Sequence, residues 1–213
     1  MKIAVYSGSF DPLHTGHQAI MEYLTNDREF DWVYLVISPQ NPFKDPSKAA
    51  NVRQRYEAAV AAVRRHPELR VWVDDIELQM EPPHYTIKTL DALKRREKEN
   101  DFTLVMGADN LDGITRWRDF QRILGEYGVA VYPRKGYDCD RIRETLYRQM
   151  QQSPAPYVLD AAYSAHRQEG TLGLEDRDNL YRIQVIDAPI VDISSTRIRE
   201  GLARGEDMSE FLM

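Results

Sequence analysis

The sequence predicts an α/β fold, one mostly parallel sheet with helices on both faces. Short Val- and Ile-rich runs, apolar at every position and too short for helices, recur along the chain, the pattern of strands covered on both sides. Between them lie stretches with helical spacing, and strands alternating with helices build parallel crossover units. At 213 residues, 42% hydrophobic, the chain is long enough to bury a core under such a sheet.

Residues 1–6 form the first run, ended by Ser7-Gly8-Ser9, after which a Pro-containing loop leads into a helix over 16–24. Further strands are expected at 32–37, 71–73, 102–106, 129–132 and 181–186. Helices are expected at 53–65, 86–98 and 111–126, the last from apolar residues at 111, 114, 117, 120, 123 and 124. A final helix follows Ile193-Ser194-Ser195-Thr196 and runs to about residue 204. From 151 to 180 the prolines 154 and 156 and glycines 170 and 173 break every period. That stretch is expected to be an insertion, either a surface loop or a short helical excursion, within a single domain spanning 1–213.

The charge balance excludes some function classes. With 28 basic and 34 acidic residues, the formal net charge is −6, which argues against a protein that wraps nucleic acid, because such binding is supplied by clustered Lys and Arg. A small phosphorylated ligand needs only local positive groups. Cys139 is the single cysteine; it can close no disulfide within the chain and fits no zinc spacing, as expected in a reducing compartment. The longest apolar runs fall far short of the ~20 residues of a membrane helix, and the first residues carry no cleavable hydrophobic region. A cytoplasmic protein with neither a membrane nor a nucleic-acid partner is expected, and a homo-oligomer is left open.

The first chemically informative segment is Gly8-Ser9-Phe10-Asp11-Pro12-Leu13-His14-Thr15-Gly16-His17, where the first strand hands over to the first helix. In open α/β sheets, ligands bind outside the carboxyl ends of the strands, and free amides at a helix start attract phosphate. The segment is neither G-x-G-x-x-G nor a P-loop. Its distinguishing feature is the pair His14 and His17, which can point together into a phosphate-sized space and donate hydrogen bonds there. Metal ligation and ordinary capping or surface roles are the alternatives. The second segment is Ile193-Ser194-Ser195-Thr196-Arg197-Ile198-Arg199: Ser195 and Thr196 can cap a helix whose amides face an anion, with Arg199 one turn on. A plain N-cap with a solvated Arg is the alternative.

His14-Thr15-Gly16-His17 after Gly-Ser-Phe-Asp-Pro resembles the H-x-G-H signature of the nucleotidyltransferase superfamily, and residues 193–199 resemble its I-S-S-T-x-x-R signature. Pro82-Pro83-His84-Tyr85-Thr86, Met106-Gly107-Ala108-Asp109-Asn110 and Trp117 resemble stretches of the bacterial nicotinate-nucleotide adenylyltransferases; the resemblance covers 1–136 and 182–212. It implies a Rossmann-like nucleotidyltransferase fold of the adenine nucleotide alpha hydrolase-like type. It further implies that Tyr85, Thr86 and Trp117 surround a pyridine ring, with backbone amides receiving its carboxylate; without the resemblance, core packing is the better reading of Trp117. Lys44 matches a basic position, but Phe43 stands where that family has His. Arg55 matches a family Arg at the head of the second helix, a solvated charge being the alternative. Asp109 can hold ribose hydroxyls or a hydrated Mg²⁺, or cap a helix.

The reaction implied is adenylyl transfer from ATP to nicotinate mononucleotide, with Mg²⁺ accompanying ATP. His14, His17, Lys44 and Arg199 are the catalytic set. Gly8, Ser9, Phe10, Gly107, Asp109, Ser194, Ser195 and Thr196 join His14, His17 and Arg199 around ATP, while Lys44, Arg55, Tyr85, Thr86, Asp109 and Trp117 receive the mononucleotide. No direct protein ligand to a metal is expected. The competing readings are transfer of an adenylyl or cytidylyl group to another acceptor, such as phosphopantetheine or a polyol phosphate, and a non-catalytic nucleotide-binding module.

Overall fold

The computed structural model describes residues 1–26, 30–39, 52–151 and 182–213. In chain order they form β1 (Lys2–Gly8), α1 (Thr15–Asn26), β2 (Trp32–Ile37), α2 (Val52–Arg64), β3 (Val71–Asp74), α3 (Thr86–Arg96), β4 (Asp101–Gly107), α4 (Ala108–Asp112), α5 (Phe120–Arg122), β5 (Val129–Tyr132), α6 (Cys139–Gln151), β6 (Ile183–Val185) and a last α-helix, Ser195–Ala203. The six strands make one parallel sheet in the order β3-β2-β1-β4-β5-β6, so the chain reverses its direction of winding between β1 and β4.

Strand alternation divides the core into two layers. Ala4 and Tyr6 of β1 join Val33, Leu35 and Ile37 of β2 beneath Ile20, Met21 and Leu24 of α1. Ile3 and Val5 point the other way, joining Leu104 beneath Ile87, Leu90 and Leu93 of α3. Each such Leu or Ile contributes about 1.5–3 kcal/mol on burial, which is why uniformly apolar runs are required here. The parallel sheet and its two helical layers are those the sequence predicts.

One expected element is absent. The stretch 111–126 is not one helix but a chain of short pieces: α4, a 3₁₀ turn (Ile114–Arg116), α5 and a π-turn (Ile123–Tyr127). Trp117 is extended (φ −81°, ψ 145°) and Asp119 left-handed (φ 51°, ψ 38°), either of which ends a helix. The apolar stripe nevertheless survives: Leu111, Ile114, Ile123 and Leu124 are buried, with Trp117 and Phe120 packed against them. Spacing records which side is buried, and tightened 3₁₀ and widened π turns keep that side as well as an α-helix does. Helix α6 lies outside the elements expected from spacing, and the insertion expected at 151–180 lies outside the described residues except for the backbone of Gln151, which closes α6.

Residues 212 and 213 return to the start of α1. Leu212 bridges His14 in antiparallel fashion, the Met213 amide donates to the Leu13 carbonyl at 3.5 Å, and Arg65 donates to the Met213 carbonyl. Met213 is buried in the core layer shared by α1 and α2.

Candidate active site

Two clefts open at the carboxyl ends of the strands, around the histidine loop that joins β1 to α1. His14 and His17 stack with ring centroids 3.6 Å apart and an interplanar angle of 24°. Gly16 makes this possible, since a Cβ there would lie 3.1 Å from His14 Cε1 and Nδ1. The His14 amide donates to His17 Nδ1 at 3.3 Å, which assigns the His17 proton to Nε2. Burial, helped by the positive charge of Arg134, pushes the His14 pKa down to about 4. The His17 pKa is also driven well down, chiefly by burial and then by His14 and Arg134. Both rings are therefore neutral at physiological pH. Each offers one N–H, and neither repels its stacked neighbour.

The second signature docks onto this loop. Ser194, not Ser195 or Thr196, is the N-cap of the last helix, its hydroxyl accepting from the Arg197 amide at 3.2 Å. Ser195 is thereby free to donate to the Pro12 carbonyl at 3.0 Å. Arg199 donates to the Asp11 carbonyl at 2.5 Å and to Thr196 Oγ1 at 3.1 Å, and stands 3.8 Å from the Asp11 carboxylate. Segments more than 180 residues apart in sequence thus share one corner.

Asp109 lies in the first turn of α4, whose N-cap is Gly107, so the capping reading of Asp109 is not realised. Its carboxylate instead faces Arg134 Nε at 3.5 Å. Arg134 also donates to the Tyr132 hydroxyl at 3.2 Å and covers that ring at 5.1 Å. Sequence reasoning does not single out Arg134, because no motif surrounds it. The usable signal is its place just past β5, at the same sheet edge as Ser9 and Asp109. A cavity of about 430 Å³ runs from Asp109 and Arg134 to Ser194 and Arg197.

The other cleft, about 330 Å³, lies over β1 and β4, at the reversal of winding where such sheets bind ligands. Gly8, Ser9, Tyr85, Thr86, Asn110 and Trp117 are among the residues that line it. Tyr85 is the N-cap residue of α3, and no side chain caps that helix. Trp117 packs against the core and also lines the cleft, so core packing does not withdraw it from the cleft.

Arg55 is no solvated helix charge. It is buried, and donates to the carbonyls of Ser9 at 2.5 Å, Ser38 at 3.0 Å and Pro39 at 3.1 Å, tying together the ends of β1 and β2. Phe10, at φ 43°, turns its ring edge-on to His17. Lys44 and Phe43 lie outside the described residues. Among the described residues, no group of three or more His, Cys, Asp or Glu side chains could hold a metal ion, and no helix is long and apolar enough to cross a membrane.

Comparison with known proteins adds three findings. The family model described as Cytidylyltransferase-like matches residues 5–201. A protein of Bacteroides fragilis named "Probable nicotinate-nucleotide adenylyltransferase" is 33% identical over 99% of this chain and 87% of its own length. Among solved structures, the Plasmodium falciparum nicotinic acid mononucleotide adenylyltransferase complexed with NaAD superposes with a TM-score of 0.68, covering 98% of this chain and 87% of that one at 16% identity. At that identity the superposition speaks for the fold.

Proposed function

We propose, for a chain that belongs to the cytidylyltransferase-like family and within it to the nicotinate-nucleotide adenylyltransferases, that ATP and nicotinate mononucleotide meet at the histidine corner. A 5′-phosphate oxygen of the mononucleotide attacks the α-phosphorus of ATP. The bond from that phosphorus to the bridging oxygen breaks, pyrophosphate leaves with the electron pair, and nicotinate adenine dinucleotide remains. The observation that carries this reading is the joining of the two signatures, through Ser195 to Pro12 and Arg199 to Asp11, beside a neutral His pair and next to a separate aromatic cleft.

A phosphate nucleophile is already ionised, so no general base is required, and catalysis consists of aligning two anions and neutralising the departing charge. His17, through Nε2–H, and His14 donate to the α-phosphate and its leaving oxygen. Thr196, Arg199 and the first amides of the last helix receive the β- and γ-phosphates, with Ser195 fixing that helix to the loop. The backbone of Gly8, Ser9 and Phe10 lines the path of the triphosphate. Asp109 accepts from ribose hydroxyls, and Arg134, which holds Asp109 and biases both histidines toward neutrality, belongs to the same set. Lys44 positions the phosphates. Mg²⁺ would accompany ATP and would supply charge neutralisation at its phosphates; Asp109, already paired with Arg134, would not need to ligate it directly. Tyr85, Thr86 and Trp117 take the pyridine ring, with Arg55 bracing the loop opposite. A cytoplasmic setting agrees with the unpaired Cys139.

The test is pyrophosphate release with ATP and Mg²⁺ against nicotinate mononucleotide, nicotinamide mononucleotide and phosphopantetheine. The acid is expected to be used with the highest kcat/KM. Preference for phosphopantetheine, or no turnover of any acceptor, overturns the reading.

A further inference from the structure

The cleft over β1 and β4 carries a charged group to which no role has been given. Arg116 lines it beside Trp117. Its neighbour Arg118 is already paired, with Nε 3.4 Å from the Asp119 carboxylate. Among the described residues the Arg116 guanidinium has no hydrogen bond or ion pair. It lies against Gly113, where a Cβ would come within 2.7 Å of Nη2. The backbone there is ordinary (φ −101°), so what that glycine supplies is room. The break between α4 and the following 3₁₀ turn thus seats a cation at the cleft wall.

We propose that Arg116 is a specificity-determining residue that adds a side-chain contact to the backbone amides expected at the carboxylate of the pyridine ring, which rests on the reading that this cleft takes nicotinate mononucleotide. The mononucleotide has two anionic ends. Its phosphate must reach the α-phosphate of ATP at His14 and His17, and neither histidine lines this cleft. Arg116 sits instead on the segment that carries Trp117, the ring end. A ring lying on Trp117 therefore brings its carboxylate, and not its phosphate, toward the guanidinium. A guanidinium gives a carboxylate a charge-assisted, two-pronged hydrogen bond, and gives a neutral amide far less.

The experiment measures kcat/KM for nicotinate and nicotinamide mononucleotide with wild type, Arg116→Gln, Arg116→Lys and Gly113→Ala. A lost hydrogen bond to a charged group costs about 10- to 100-fold. Arg116→Gln is expected to lower kcat/KM for the acid by that factor, through KM, while the amide loses no more than about threefold. Arg116→Lys should recover part of the discrimination. Gly113→Ala keeps every charge but pushes the guanidinium aside, and should shift the ratio in the same direction. Equal losses for the two substrates would assign Arg116 to the shared phosphate and overturn the proposal. An unchanged ratio overturns it as well, as does discrimination lost in His84→Gln but kept in Arg116→Gln. A wild type that turns over nicotinate mononucleotide without preferring it overturns this assignment alone, whereas no turnover of either mononucleotide overturns the functional reading with it.

Discussion

The histidine corner and the Trp117 wall lie at the same end of the sheet but are built in opposite ways. The corner is made from ends of long regular elements, β1, α1 and the last helix, locked by Ser195 to Pro12 and Arg199 to Asp11. The wall is a succession of short turns between Gly113 and Tyr127 that shares its apolar core with α3 and is tied to it by a half-buried polar cluster. In that cluster Arg122 donates to both oxygens of Asp91 at 3.0 and 2.9 Å and to Glu126 at 2.8 and 2.7 Å, and the Tyr127 hydroxyl donates to Asp91 at 2.6 Å. Under the proposed function, the chemistry common to all adenylyl acceptors needs invariant donor geometry, which regular elements provide. Under the same proposal, recognition of one acceptor needs side chains aimed individually, which irregular backbone allows.

The largest effect should come from the corner. His17→Ala removes a preorganised donor and is expected to lower kcat by roughly 10²- to 10³-fold with a much smaller change in the ATP KM. Steady-state kinetics decide it, and an unchanged kcat would remove His17 from the mechanism. The wall should respond in KM. Trp117→Ala loses a stacked ring worth about 1–3 kcal/mol, raising the mononucleotide KM by about 5- to 150-fold while ATP moves little. Equal changes for both substrates would make Trp117 a packing residue only. Arg122→Met should blur the distinction between the regions. Leaving Asp91 without its cation costs about 1–3 kcal/mol of stability, visible as a lower Tm, and should raise the mononucleotide KM severalfold with kcat almost intact. A kcat loss instead would show that the cluster supports the corner too.

The mildest expectation concerns pH. His14 titrates near 4 in the folded chain and near 6.5 when unfolded. As pH falls between these values the unfolded state takes up a proton that the native state refuses, so stability is complete above about 6.5 and declines toward 4. Tm is expected to fall across that window more steeply for wild type than for His14→Gln. Parallel slopes would mean that the ring is solvated in the folded protein.

The corner is legible in sequence because its parts are contiguous: ten residues from Gly8 to His17 and seven from Ile193 to Arg199 each carry their own turn and donor chemistry. The sheet is legible because burial on both faces demands unbroken apolar runs such as Val33 to Ile37. The wall is not, since residues 111, 114, 117, 120, 123 and 124 satisfy a helical period that the short turns preserve while changing the backbone. Arg134 escapes for another reason: its field on the histidines exists only once β5 is placed two strands from β1. Arg55 shows the converse, a residue found by position whose buried, three-carbonyl hydrogen bonding no helical pattern encodes.

The pairing of Leu212 and Met213 with the histidine loop has a practical consequence for handling the protein. An affinity tag or immobilisation linker joined to Met213 begins beside Leu13 and His14, and pulls on the strand bridge and the Arg65 contact that seat that residue. The same tag ahead of Met1 begins where β1 enters the sheet, at the opposite end from the clefts, on a residue that is 60% exposed.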